Sequence, residues 1–298
     1  MSAHGASAQP LSRFAVSPER RRRDALARTA ILGATILALI PLVLIVYYLL
    51  HKGLGSWSTS FFTTDPTGDT FFKNSNIGGI KSAILGTLEI VAIASAMAIP
   101  VGICVAIWLV EYGRGSRFAS IVRFAVDVLT GVPSIVFGLF IYIVLVVGTG
   151  STYAGYKGSC ALALLMLPVV IRSAEVILLL VPSGLRESAL ALGAPRWRVI
   201  FRVVLPTALP GMVTGVLLAV ARAGGETAPL LFTAGATLKT NFDLGQFMNS
   251  LPVQIYSDVT SPTTSVEHRA WGAALALVSI ILLLNVVARL ASRRSRLG

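Results

Sequence analysis

Six stretches of this chain each run apolar for about the 20 residues a helix needs to cross a bilayer: Ala30–Leu50, Ile84–Leu109, Phe124–Val147, Ala161–Leu180, Leu209–Phe232 and Trp271–Ala288. No other property narrows the fold as far. Inside hydrocarbon, backbone N–H and C=O groups find no water, so each run must satisfy them internally as a helix. Only 13% of the residues are charged, against roughly a quarter in a soluble domain. The expected fold is therefore all-α integral membrane, with six transmembrane helices.

Basic residues set the orientation. Seventeen, all arginine, fall at the termini and in alternate loops, among them Arg20–Arg23, Arg114, Arg117, Arg123, Arg186, Arg196 and Arg293. Six, including Lys52, Lys81, Lys157 and Arg269, fall in the loops between. The excess marks the cytoplasmic side, so both termini of this multi-pass cell-membrane protein are expected in the cytoplasm. The same clustering accounts for the net charge of +12. Short clusters beside apolar spans do not describe a nucleic-acid surface.

The first apolar run is longer than a secretory h-region and no Ala-x-Ala site follows, so it is expected to stay as an anchor. Residues 1–28 read as a disordered cytoplasmic tail, 29–82 as the first helix with an external loop, 83–290 as the main transmembrane domain and 291–298 as a basic cytoplasmic tail. In the external segment Ser56–Gly79, the pairs Phe61-Phe62 and Phe71-Phe72 suit an interfacial aromatic belt. Cys104 and Cys160 have neither metal-ligand spacing nor the pattern of a disulfide framework.

Between the fourth and fifth runs lies a polar segment, Glu187 to Pro206. It starts with good helix formers, Gly193 suits a helix end, and Pro195 blocks continuation. Arg196, Arg198 and Arg202 flank Trp197. Two readings stand on these residues alone: a basic connector anchored at the headgroups, or a carboxylate-led helix that something outside the membrane can push.

Ionisable side chains within spans are costly and usually line an interior or a water-filled path. Arg222 and Glu226, four residues apart, are expected on one helical face, continued by Gly211, Gly215 and Ala219. The Gly211-x-x-x-Gly215 spacing permits close helix packing. Gly224-Gly225 and Pro229 should break the helix, and freed N–H groups beside an arginine make an anion site. A plain internal salt bridge is the competing reading. Arg172 and Glu175 also share a face, either as gate residues or as a solvated pair where the helix leaves the bilayer. Asp127 lies near the cytoplasmic end of its run, and Glu89 is read as within reach of Lys81.

The order Glu187-Ser188-Ala189, Gly193 and Val203-Val204-Leu205-Pro206 resembles the Glu-Ala-Ala (EAA) loop of ATP-binding-cassette import permeases, with Ser188 for alanine and Val203 for isoleucine. Further stretches are Ile77-Gly78-Gly79-Ile80, Gly86-Thr87-Leu88, Ile99-Pro100-Val101-Gly102, Ala106–Tyr112, Gly131-Val132-Pro133-Ser134, Arg172–Glu175 and Arg222–Leu230. Together they resemble the PstA-type permeases of phosphate-specific importers, from roughly Leu50 to Ala288. The Phe61–Pro66 loop leans toward that type rather than its PstC sister. Trp108 stands where tyrosine is common, and Gly224 alters the residue before Gly-Glu-Thr.

The resemblance implies a MetI-like importer-permease fold for 83–290, with its EAA loop at 187–206. It implies Glu187, Ala189, Gly193 and Arg196 as ATPase-coupling residues, and Arg222, Glu226, Thr227, Arg172 and Glu175 as the substrate pathway. The implied partners are the sister permease PstC, two copies of the ATPase PstB and the phosphate-binding protein PstS, all around a chain embedded in the lipid bilayer. The sequence has no Gly-x-x-x-x-Gly-Lys-Ser/Thr phosphate loop, so ATP and Mg are expected on the partner ATPase and no cofactor or metal on this chain. It also lacks a visible catalytic Ser/His/Asp constellation, which reads as a transporter subunit rather than an enzyme. The competing readings are a permease for molybdate or sulfate, the sister permease, and more distantly a membrane enzyme or signalling anchor.

Overall fold

In the computed structural model, which describes residues 18–67, 78–261 and 264–294, the regular elements are helical throughout. Packing divides the chain into two units, 1–50 and 51–298. The first consists of most of α1 (Pro18–Gly53). Residues 18–28, expected within a disordered tail, are thus the start of a helix; residues 1–17 lie outside the described residues. At 36 residues and 1.5 Å per residue, α1 is about 54 Å long, so the turns carrying Arg20–Arg23 exceed what a hydrocarbon core of about 30 Å can cover. Its side chains from Glu19 to Tyr48 are exposed, as befits a helix whose apolar surface runs all the way round. The Thr29 and Thr35 hydroxyls donate to the Ala25 and Ile31 carbonyls one turn back, which satisfies them inside the helix.

The second unit holds α2 (Thr59–Thr63), α3 (Lys81–Ile107, continued by a π-helical turn Trp108–Tyr112), α4 (Arg117–Gly131) and α5 (Ser134–Ile141, continued by a π-helical turn Tyr142–Val147). Then come α6 (Gly155–Leu179), α7 (Ser183–Ala191), α8 (Arg196–Val199, running through a π-helical turn into α9, Leu205–Gly224), α10 (Ala228–Leu231), α11 (Leu251–Val259) and α12 (Thr264–Arg294). Five helices are long and apolar enough to cross a membrane by themselves, and α4 with α5 makes a sixth candidate span.

The structure corrects several boundaries. The run Phe124–Val147 is not one helix: α4 and α5 meet at 103°. Pro133 is the cause, because proline excludes its predecessor Val132 from helical geometry, and Val132 is extended at ψ 132°. The run Leu209–Phe232 stops as a helix at Gly224. Between the runs that end at Phe232 and begin at Trp271 stands α11, a short apolar helix. The described residues 54–67 and 78–82 belong to the second unit, where Phe61 and Ile80 are buried with Ala83, Leu251, Ala273 and Ala276. Phe61 is therefore a core residue and not part of an interfacial belt; Phe71-Phe72 and Ile77 lie outside the described residues. At the other end, residues 291–294 continue α12, and 295–298 are not described.

The core is centred on α3, α6 and α9. Ile90, Ala94 and Ala98 of α3 meet Leu162, Met166 and Val170 of α6 and Ala219 and Ala223 of α9. Close approach of α9 to α6 depends on the expected glycine pair. A Cβ on Gly215 would lie 2.3 Å from Ser173 Cβ, and one on Gly211 would lie 2.8 Å from Ile177 Cγ2. Small residues bring helix backbones together where lipid supplies no hydrophobic drive.

Near the start of α3, α11 is pinned to it. The first N–H groups of a helix lack internal partners; that of Leu251 donates to Thr87 Oγ1 at 2.8 Å, and this hydroxyl donates in turn to the Ala83 carbonyl at 2.8 Å. Asp65 closes the same region. Its carboxylate accepts the Thr240 N–H at 2.9 Å and the Thr240 hydroxyl at 2.5 Å. Burial alone would raise the Asp65 pKa, but the Thr240 bonds, the Lys81 charge and the Ser82 amide together hold it below the ordinary carboxylate value. A depressed folded-state pKa stabilises the clasp above the unfolded value and is lost as pH falls through the folded value. Thr240→Val removes the hydroxyl bond and keeps the backbone one, so loosening of this loop should begin at a higher pH than in the parent. Hydrogen exchange of the Ser58–Asp65 amides across pH 3–6 should report the shift; identical profiles would refute it.

Candidate substrate pathway and coupling site

Arg222 occupies the last turn of α9, and its side chain is 48% exposed. Its Nε lies 3.6 Å from Glu226 Oε1, too long for a strong hydrogen bond. The two residues meet as expected, though not on one helical face, because Glu226 stands beyond the helix end. The Gly225 and Glu226 N–H groups donate back to the Arg222 and Ala223 carbonyls at 3.1 and 3.2 Å. Those two amides are thereby satisfied, so neither is among the freed backbone donors expected beside Arg222. Thr227 caps α10, half-buried beside Glu226, with its carbonyl accepting from Leu231 N–H at 3.1 Å. One turn before Arg222, about 6 Å along the axis, Leu218 borders an open cleft of about 740 Å3. Gly215, Thr214, Ser173, Asn285 and Arg172 also line it.

Arg172 is not a solvated helix pair with Glu175. Its Nη1 donates to Glu175 Oε2 at 2.7 Å and its Nε to Asp127 Oδ1 at 2.8 Å. Glu175, 3% exposed, accepts a second guanidinium: Arg123 Nε donates to Oε1 at 2.6 Å. Arg123 also donates to the Leu109 carbonyl at 2.8 Å. Two cations and two anions thus alternate across α4 and α6 as a neutral chain, with Arg172 facing the cleft. Sequence reasoning counted Arg123 only among the cytoplasmic-side arginines. Glu89 forms no ion pair with Lys81; its buried Oε2 has no hydrogen-bond partner.

The segment expected to be a pushable helix is α7, which begins four residues before Glu187. It ends in a Schellman arrangement. Gly193, at φ +81°, donates to the Leu190 carbonyl at 2.9 Å, and Ala194 to the Ala189 carbonyl at 3.3 Å. A left-handed φ is strained for any residue with a Cβ, so Gly193 is required by the turn itself. Glu187, Leu190, Ala191 and Leu192 are exposed, Leu192 by 89%. Ala189 is partly buried and packs against the cluster of Ala106, Val110, Leu178 and Val204. Arg196 is exposed at the start of α8, and the Arg198 guanidinium lies 5.3 Å from the centre of the Trp197 ring.

Residues 98–296 match the family described as "Binding-protein-dependent transport system inner membrane component". The chain is 40% identical over 283 residues to phosphate transport system permease protein PstA 1 of Mycobacterium tuberculosis strain H37Rv, covering 93% of this chain and 91% of that one. The chain belongs to the PstA permease family. PstA of Yersinia pestis is 39% identical over 272 residues, covering 91% and 90%. Among solved structures, an inward-facing MetNI methionine ABC transporter matches with TM-score 0.62 at 19% identity, over 72% of this chain and 94% of that chain. A bacterial alginate ABC transporter matches with TM-score 0.60 at 16% identity, over 93% and 98%. The architecture is thus the MetI-like importer-permease fold, in an inner-membrane multi-pass protein.

In this PstA-family chain, two of the basic residues assigned to external loops are internal. Lys157 is buried at the start of α6, its Nζ donating to Ser151 Oγ at 2.7 Å and to the Thr152 carbonyl. Arg269 is buried in a two-pronged pair with Asp258 at 2.7 and 2.8 Å. Neither was recognisable from loop composition, which cannot tell a headgroup charge from a structural one.

Proposed function

We propose that this chain is the membrane-spanning permease subunit of an ATP-driven importer that moves inorganic phosphate into the cytoplasm by alternating access. The observation that carries the reading is the near full-length likeness to PstA permeases at 40% identity. The fold alone is shared at only 16–19% identity by methionine and alginate transporters.

The partner set follows from that reading. The sister permease PstC completes the pathway, two PstB subunits hydrolyse ATP with Mg, and PstS delivers phosphate from outside. This chain itself binds no cofactor. The basic start of α1 and the arginine-rich α8 support cytoplasmic termini and a cytoplasmic α7.

Phosphate delivered between the paired permeases would meet Arg222 first. A guanidinium fork matches two phosphate oxygens and stays charged at any physiological pH. Glu226, 3.6 Å away, competes with the anion for Arg222, which keeps binding weak enough for release, while Thr227 offers a hydroxyl beside it. The cleft along α9 then leads to Arg172. There Asp127 and Glu175 neutralise the arginines, so a passing anion is attracted without being trapped. Closure of the ATPase dimer reaches the spans through the exposed face of α7, with Glu187, Gly193 and Arg196 at the contact.

Two measurements test this. In a cell lacking its phosphate permeases, this chain with its sister subunit should restore radiolabelled phosphate uptake. Unlabelled phosphate should compete, and sulfate or molybdate should not; equal competition by either would reassign the cargo. Glu187→Lys reverses the charge presented by α7, and the ATPase should no longer co-purify with the permease pair. Normal retention together with normal transport would refute the contact.

A further inference from the structure

Arg186 immediately precedes Glu187 yet points into the protein, with its side chain only 11% exposed. Its Nε donates to Glu111 Oε1 at 3.0 Å, and Nη2 lies 2.9 Å from the same oxygen. Its Nη1 donates to the Val181 carbonyl at 2.6 Å, and Nη2 also donates to the Leu178 carbonyl at 2.8 Å. One guanidinium therefore joins α7, the end of α6 and the π-helical turn that ends α3.

The chemistry suits this junction. The last carbonyls of a helix lack partners within it, and the negative end of the helix dipole favours a cation. An arginine fork spreads five donors over a rigid plane and so reaches two carbonyls and a carboxylate on separate elements, a span the compact ammonium of lysine does not have. Beneath it, Ala106 and Val110 of α3 and Leu178 of α6 share one apolar cluster, against which Ala189 of α7 packs.

Chain continuity already explains how α7 would move α6, since Leu180, Val181 and Pro182 alone separate them. It does not explain α3, whose Glu111 lies 75 residues earlier. Yet α3 and α6 form the centre of the core, and α6 carries Arg172 about 9 Å along its axis from Leu178.

We propose that Arg186 and Glu111 form a coupling clasp, two positioning residues that make the ends of α3 and α6 move as one body with α7. The inference rests on the reading of α7 as the ATPase-coupling helix. A merely structural ion pair would hold the helix ends together without affecting how much phosphate each ATP moves.

The test uses the complete importer in proteoliposomes, with the binding protein and the ATPase. Glu111→Gln keeps the size of the side chain and removes its charge. The ATPase should still co-purify, while phosphate moved per ATP hydrolysed should fall about tenfold. Arg186→Lys keeps the charge without the fork and should fall similarly. The double variant should fall no further than the worse single one, because both remove the same link. Unchanged transport per ATP in Glu111→Gln overturns the clasp; if that variant does not fold, the same result with Arg186→Lys overturns it. Glu187→Lys separates the two ideas. If it leaves the ATPase bound and transport normal, the coupling-helix reading fails and the clasp fails with it. If it releases the ATPase while the clasp variants transport normally per ATP, the clasp alone is wrong.

Discussion

An Arg222→Ala permease should assemble with its partners and take up almost no phosphate. The guanidinium is 48% exposed and its contact with Glu226 is 3.6 Å, so the side chain contributes little to the fold. Surface positions of this kind usually change stability by about half a kcal/mol or less. Its donors are correspondingly available to an anion. A phosphate held by two charge-assisted hydrogen bonds gains about 1.5–3 kcal/mol from each. Losing both predicts a fall in uptake of at least about 100-fold. Arg222→Lys should recover only part of this, since lysine keeps the charge and loses the fork. Glu226→Gln should act in the opposite sense on binding, by removing the competitor for Arg222: a lower half-saturating concentration with slower turnover. The decisive comparison is radiolabelled uptake against the amount of assembled complex. Normal uptake by a correctly assembled Arg222→Ala complex would remove this residue from the pathway.

Glu175→Ala should fail differently, through stability. Glu175 is 3% exposed and, among the described residues, is the only carboxylate shared by Arg123 and Arg172, at 2.6 and 2.7 Å. Removing it leaves two guanidinium groups facing each other at the junction of α4 and α6, with Asp127 to offset only one of them. Breaking a buried pair by deleting one partner costs about 3–5 kcal/mol. The purified permease pair should therefore melt many degrees lower or fail to accumulate. Asp127→Ala should be much milder, because the Asp127 side chain is largely exposed and solvent screens what it leaves behind. Equal melting temperatures for Glu175→Ala and the parent would show that the network does not hold α4 to α6.

Much of this was readable before any coordinates. Hydropathy located all six candidate spans, since lipid leaves a backbone no other partner than itself. The end of α7 was also legible, because Gly193 and Pro195 act on their own dihedral angles and need no distant context. Arg222 and Glu226 do meet, at 3.6 Å, although the helix whose spacing suggested it stops at Gly224. The bend at Val132-Pro133 was present in the sequence as the residue-before-proline rule, but an averaged hydropathy window runs straight through it. The α7 residues were harder. Ala189 invites a contact reading by its size, and only packing shows that it is partly buried.

The sequence by itself determined that the chain is a helical membrane protein, where its spans lie and which short segments end in turns. These properties depend on solvation of the backbone and on local dihedral preference, both of which are carried by neighbouring residues. The tertiary structure alone decided which charges are structural and which are free. Arg123, Arg172 and Arg222 look alike in a list of arginines. Arg123 reaches a carboxylate 52 residues away, Arg172 reaches one 45 residues away, and Arg222, among the described residues, is paired only with the loosely placed Glu226. An ion pair depends on where two backbones come to rest, and no window along the chain contains that distance.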